Sequence, residues 1–306
     1  MSLYEKIILN SGPVDVYWQN HDSVQKISYP VPVEHPRSKN ISQYELSLVS
    51  QFNFLQKEYT LIIDNNILPE LVGENIVRLI ADESKLKEIS LVQDIISQNT
   101  FNKKIIAVGG GILLNVSLYI AEYLRSDIIL VPTTIIAMSD SSIGGKVRIN
   151  KISNDILIKH FYKSFYEPNQ IIVCPQFLDT LSNEQIKEGL AEIIKHAFYQ
   201  SNGLKEFLFS EKFNPFLDKQ SLLKAILWTA DLKRICLEVD PEESLDGSNK
   251  ILRAAHDISD NIEEQSNFTI SHGKAVLVAM KEDLENTELK NQLDDLYLKL
   301  GINEIL

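Results

Sequence analysis

The sequence predicts an α/β domain followed by an all-helical one. Two observations carry that prediction. Between residues 59 and 132, short β-branched runs alternate with stretches whose apolar residues recur at helical spacing, the pattern of parallel β/α units. From Phe177 to Leu300 the chain is instead rich in Leu, Ile, Lys and Glu at helical spacing, with few strand-like runs. A length of 306 residues suits two domains of ordinary size. The change of character after "NQIIVCP" (169–175) sets the boundary, giving an α/β domain over 1–175 and a helical domain over 176–306.

"YTLIIDNNI" (59–67) reads as a strand running into a turn at Asp64, Asn65 and Asn66. "ENIVRLIADESKLKEISLVQDIISQN" is predicted mostly helical, with a break near Ala81–Ser84. "KKIIAVGGG" is a strand closed by three glycines, and "LLNVSLYIAEYLRS" a helix after them. "DIILVPTT" is a further strand, ended by Pro132. A glycine turn at the carboxyl end of such a strand is where parallel sheets bind ligands. Two loops are predicted, "VRINKISNDILIKH" (147–160) and the acidic "EVDPEESLDGSN" (238–249). Leu181-Ser182-Asn183-Glu184 resembles a helix start, with Ser182 or Asn183 as cap.

Composition narrows the class. The chain is 44% hydrophobic and 24% charged, as in soluble globular proteins, and no apolar run is long enough to span a bilayer. "MSLYEKIILN" does not read as a signal peptide. Cys174 and Cys236, the only cysteines, make no disulfide framework, and a reducing cytoplasm is the expected location. A net charge of −12 argues against nucleic acid as the main partner. Yet Lys146, Arg148, Lys151, Lys159, His160 and Lys163 fall close together, as a solvated loop or as a locally basic pocket for a small anion.

Three residues of the helical half have the chemistry to bind a divalent metal: Glu192 in "GLAEIIKHA", His256 in "RAAHDISDNIEE" and His272 in "TISHGKAVLVAM". One carboxylate and two imidazoles leave an open position for water or substrate. Their spacing is too long for a local zinc signature, so spacing alone favours satisfied or surface histidines over a metal site.

The motifs together resemble 3-dehydroquinate synthase and the wider sugar-phosphate cyclase superfamily over roughly residues 59–285. "AVGGGILLNV" (107–116) looks like the family's glycine turn. "YLRSDIILVPTTIIAMSDSSIGGK" (123–146) is the densest match, and "FYEP" (165–168), "GLAEIIKHA" (189–197), "AAHDISDNIEE" and "SHGKAV" follow in the family's order. The resemblance implies the family's two-domain fold and a carbon–oxygen lyase that uses NAD and a divalent metal, zinc or cobalt. Its substrate is a small phosphorylated sugar acid, its place the shikimate route to aromatic amino acids, and its form a homodimer without nucleic-acid or membrane partners. A hydroxyl is transiently oxidised, phosphate is eliminated, the carbonyl is reduced again and an aldol step closes the ring. By resemblance, Asp64, Asn66, Gly109, Gly110, Gly111, Thr133 and Thr134 contact the nucleotide. Asp140, Lys146, Lys159, Lys195, Lys233 and Arg253 belong to the substrate side, and Arg125 is offered to phosphate by the partner subunit. Glu192, His256 and His272 match the metal ligands.

Departures from the family pattern cluster on the pocket. Asn115 replaces an aspartate after the glycine turn, and Asp260 replaces a second histidine four residues after His256. Arg253 stands in place of asparagine and Asn249 in place of arginine; His160 follows Lys159 where the family has asparagine. Lys274 replaces a glutamate, four residues lengthen the loop before "HFYKSFYEP", and the lysine-bearing final segment is expected to be missing. A carboxylate near a phosphate repels it. These differences predict either a cyclase with a rearranged substrate site or a diverged homologue retained for binding. A metal-dependent polyol dehydrogenase ranks third, since the D-S-S-x-G-G-K run resembles the cyclases.

Overall fold

The computed structural model describes residues 13–20, 23–30, 58–69, 71–82, 85–153, 156–240, 243 and 249–306. The chain divides into two compact units. One holds the described residues up to Thr133 together with Ser141–Pro175; the other holds Thr134–Asp140 together with Gln176–Leu306. Thr134–Asp140 thus groups with the helical unit although it lies inside the first predicted domain.

The first unit is built on a seven-stranded sheet. In chain order its strands are β1 (Pro13–Asn20), β2 (Ser23–Pro30), β3 (Thr60–Asp64), β4 (Ile76–Leu79), β5 (Lys104–Gly109), β6 (Asp127–Pro132) and, after a separate hairpin, β9 (Gln170–Val173). Their spatial order is β2-β1-β9-β6-β5-β3-β4, parallel except for the β1–β2 pair. Leu61, Ile62, Ile63, Ile105, Ala107 and Val108 are almost wholly buried, as strands covered on both faces require. Helix α1 spans Ile89–Gln98 and α2 spans Gly111–Leu124. α2 is apolar nearly all round, with Leu113, Leu114, Val116, Leu118 and Ile120 fully buried. It ends at Arg125 in the left-handed region (φ 52°), where the Ser126 amide donates to Ala121 O.

Two segments differ from the sequence reading. Residues 76–79, expected to be helical, form β4, hydrogen-bonded parallel to β3 with Val77 and Leu79 buried. Four residues are too few for periodicity to separate strand from helix, and the available sheet edge decides. The predicted loop 147–160 belongs to a hairpin of β7 (Lys146–Ser153) and β8 (Ile156–Phe165). Its alternation is genuine, with Val147 and Ile149 buried beneath cations, but the lysines make it read as a polar loop. The other predicted loop lies mostly outside the described residues.

The second unit is helical: α3 (Asn183–Tyr199), α4 (Asn202–Phe209), α5 (Lys219–Val239), α6 (Asn249–Leu252), α7 (His256–Gln265), α8 (His272–Asp283) and α9 (Thr287–Lys299). Ser182 caps α3 in a capping box with Gln185. Ile186, Leu190, Ile193, Ile194 and Ala197 bury one stripe of that helix. α8 packs closely on it, since a Cβ at Gly273 would stand 2.5 Å from the Glu188 carbonyl oxygen. Among the described residues no helix is long and apolar enough to cross a membrane.

Candidate active site

In the first unit the chain runs from β3 to β4 on one side and from β5 to β6 on the other, so the strand order reverses between β3 and β5. Open parallel sheets bind ligands outside the carboxyl ends of their strands at such a reversal. Asp64 ends β3 and Gly109 ends the neighbouring β5, which the ladder sets level with Pro132 of β6. The Thr133 amide donates to Gly109 O at 3.0 Å. Asp64, the glycines and Thr133 therefore share one sheet edge. Gly110 is the N-cap of α2 and lends no side chain to the orphan amides there. Free amides at a helix N-terminus favour an anion. Gly111 lies against Ser141, and an added Cβ would stand 2.6 Å from Ser141 Oγ and displace that hydroxyl. Asp64 Oδ1 accepts from the Asn66 amide at 2.9 Å, which turns the chain away from the strand end.

Arg125 ends the same helix whose start carries the glycines, roughly 20 Å away along 14 residues. Its own unit does not bring it to the turn. Lys146 opens β7, and Lys159 lies on β8 beside His160. Burial, then Lys87, Lys159, Arg148 and Lys163, push His160 down to about 3.

The second unit gathers Glu192, His256 and His272 around one point. Glu192 comes from the middle of α3, His256 from the first residue of α7 and His272 from the first residue of α8. The turn into α7 passes through Ala255 at φ 61°, an unfavourable conformation for a residue with a Cβ and the kind of strain that collects at functional sites. Glu192 Oε1 lies 3.6 Å from His256 Nε2 and 3.5 Å from His272 Nε2. Tetrahedral ligation at about 2.0–2.1 Å sets neighbouring donors about 3.4 Å apart. Both oxygens of the fully buried Glu192 carboxylate lack an aligned hydrogen-bond partner. The outer nitrogens are held in place: His272 Nδ1 pairs with Glu263 Oε1 at 2.8 Å and His256 Nδ1 with Ala254 O at 3.1 Å. Each ring then presents Nε2 inward, the arrangement that metal-ligating histidines use. These residues fit a divalent cation.

Three further charged groups, Lys195, Asp140 and Lys233, stand close to Glu192 within the same unit. Lys195 Nζ lies 2.5 Å from Glu192 Oε2 and donates to Leu252 O at 2.8 Å. Lys233 Nζ lies 2.9 Å from Asp140 Oδ1 and donates to Asp140 O at 2.8 Å. Burial opposes ionisation of Glu192, but Lys195 and then the two histidines outweigh it and hold the carboxylate well below its usual range. Asp140 is lowered too, Lys233 outweighing the cost of burial. Burial and the Lys195 ammonium push His256 down to about 3. Burial also works against His272, yet Glu192 and Glu263 raise it to about 10. Arg253 donates to Asp257 Oδ1 at 2.6 Å and to Asp260 Oδ2 at 3.2 Å. Thr134 Oγ1 accepts from the Ala137 amide, fixing the turn that leads to Asp140.

Sequence reasoning missed Glu263 and Ser141. Glu263 stands seven residues after His256, two turns along one helical face, and that spacing was the available signal. Ser141 adjoins Asp140, but only the fold sets it against the glycine turn.

Residues 77–188 match the 3-dehydroquinate synthase N-terminal family and residues 189–302 the 3-dehydroquinate synthase C-terminal family. A 3-dehydroquinate synthase of Chlamydia pneumoniae is 40% identical over 196 residues, covering 63% of this chain and 50% of the relative. The chain spans about half the length of the curated relatives it matches. Among solved structures, the 2-epi-5-epi-valiolone synthase of Streptomyces hygroscopicus, with NAD+ and Zn2+ bound, aligns at a TM-score of 0.69 with 20% identity. That match covers 85% of this chain and 82% of the other. A 2-deoxy-scyllo-inosose synthase complexed with carbaglucose-6-phosphate, NAD+ and Co2+ aligns at 0.67 with 23% identity, covering 82% and 75%. At these identities the two structures establish a shared fold.

Proposed function

The chain belongs to the 3-dehydroquinate synthase family, and on that premise we propose that it is an NAD- and metal-dependent sugar-phosphate cyclase, a carbon–oxygen lyase that eliminates phosphate and closes a carbocycle. The observation that carries this reading is the Glu192–His256–His272 arrangement, with both Nε2 atoms turned inward around a buried carboxylate that lacks aligned hydrogen bonds. Bound groups would supply a hydride acceptor, with its diphosphate at the glycine turn, and Lewis acidity toward the hydroxyl being oxidised. The chain's own residues supply charge and orientation. Lys195 is ion-paired with Glu192 and donates to Leu252 O, and Lys233 is ion-paired with Asp140 and donates to its carbonyl oxygen, so both ammonium groups are held in place beside the proposed metal position. Asp140 holds Lys233 charged and in place. Lys146 and Lys159 act on the substrate from the hairpin, and Arg125 is supplied to phosphate by the second subunit of a homodimer. The proposed setting is the cytoplasm.

A specific observation favours an altered substrate. Arg253 pairs through Nη2 with two carboxylates of its own helix region, which offset the charge it would offer to a substrate anion. The second reading is therefore a cyclase acting on a phosphorylated sugar other than the family's sugar acid. The deciding experiment is phosphate release from the family substrate and from neutral hexose phosphates, with NAD and zinc or cobalt. Release from any of them that disappears in His272→Ala supports cyclase chemistry. No release from the panel, together with neither NAD nor metal binding, overturns it.

A further inference from the structure

Asn115 lies in the second turn of α2, one turn beyond the glycines, and its side chain reaches the hairpin. Nδ2 donates to Lys146 O at 2.9 Å, and Oδ1 accepts from the Arg148 amide at 3.0 Å. The partners are one carbonyl and one N–H, so a single orientation of the amide satisfies both. The contacts fall on residues i and i+2 of β7, the pair that a neighbouring strand would engage. β7 pairs with β8 across its other edge, Lys146 opposite Phe165 and Arg148 opposite Lys163. Asn115 therefore serves as a one-residue surrogate strand on the edge that β8 does not cover. The backbone before Lys146 is fixed separately, because the Tyr166 amide donates to Gly145 O at 2.7 Å. A carboxylate at position 115 could accept from Arg148, but it would set an oxygen against Lys146 O.

We propose that Asn115 is a positioning residue that ties the register of Lys146 to helix α2, so that the lysine and the glycine turn move as one body. This rests on the reading of Lys146 as a substrate-side cation, but the link itself can be tested without turnover. The amide tolerates only a partner that donates and accepts at once. Asn115→Asp keeps size and loses the donor while ionised, and it regains the donor when protonated.

The test combines amide hydrogen exchange at Arg148 with steady-state kinetics in the full chain, using Asn115→Asp and Asn115→Leu. Exchange at Arg148 should rise about tenfold in the Leu variant, the scale of one lost hydrogen bond, while exchange in the strands β5 and β6 stays unchanged. In phosphate-release assays, kcat should fall about tenfold in both variants with NAD affinity within about threefold of the parent, on the same scale. The Asp variant, measured relative to the parent, should recover as pH falls through its carboxyl pKa, whereas the Leu variant should not. Unchanged exchange at Arg148 in the Leu variant overturns the proposal. So does an Asp variant whose relative activity is flat with pH in an active parent. If the parent shows no turnover, the exchange result alone decides this inference, and the cyclase reading fails only if NAD and metal binding are absent as well.

Discussion

Glu263 reaches from α7 to the histidine that opens α8, and its carboxylate decides how that histidine presents itself. A carboxylate on Nδ1 fixes the tautomer and raises the basicity of Nε2. Glu263→Gln keeps an acceptor for Nδ1–H but loses the charge. Zinc affinity, read by competition with a chromogenic chelator, should drop about tenfold, at the low end of the range for such outer partners. Unaltered affinity would show that Glu263 only fills space. His256 and His272 lie about equally near Glu192, but burial and Lys195 disfavour protonation of His256, whereas Glu263 sets a second carboxylate beside His272. Arg253 gives the converse lesson. Its charge is matched within the chain by Asp257 and Asp260, so a basic residue in a matched motif is not by itself an anion site.

At the scale of elements, α2 connects three features. Its N-terminus carries the glycine turn, its second turn holds β7 through Asn115, and its C-terminal half supports β8, where Glu122 accepts from Tyr162 Oη at 3.1 Å and Ser164 Oγ at 2.6 Å. The start of the helix is tightly constrained by Ser141 against Gly111. Gly111→Ala should weaken NAD binding by about tenfold or more, as a methyl group displaces the serine hydroxyl and tilts the amides that face the anion. Adding Ser141→Ala should recover part of that loss, which a titration of NAD fluorescence quenching would follow. If the single variant binds NAD like the parent, the turn is not the diphosphate site. In the helical unit the equivalent constraint is Gly273 against the Glu188 carbonyl, which brings the first residue of α8 beside the middle of α3.

For the whole molecule, pH is the sharpest probe. His160 is held at about 3 and His196 at about 4, both from an ordinary value of 6.5. Burial is the first cause for each. The unfolded chain takes up protons on these imidazoles as pH drops below 6.5, while the folded chain refuses them until about 4 for His196 and about 3 for His160. Unfolding then becomes progressively easier across that window, and the contribution is fully present above it. Urea midpoints should fall between pH 7 and pH 4, and His160→Asn should flatten part of the decline. Asparagine suits the test because His160 sits at φ 52°, a conformation asparagine tolerates. A variant with the same slope as the parent would mean that His160 is freely protonated in the fold.

The sequence by itself determined the parallel β/α order, the glycine turn after β5, the cap at Ser182 and the identity of the three metal-ligand candidates. Each is a local pattern or an ordered motif that the chain carries before it folds. The tertiary structure decided the rest. It made residues 76–79 a strand, because an edge of β3 was there to pair with. It made a cation-rich stretch a hairpin, because α2 covers its apolar side. It set Glu263 behind His272 and Asn115 beneath Lys146, contacts between residues 9 and 31 positions apart. Such contacts depend on where helices and strands come to rest against one another, and no periodicity along the chain encodes that distance.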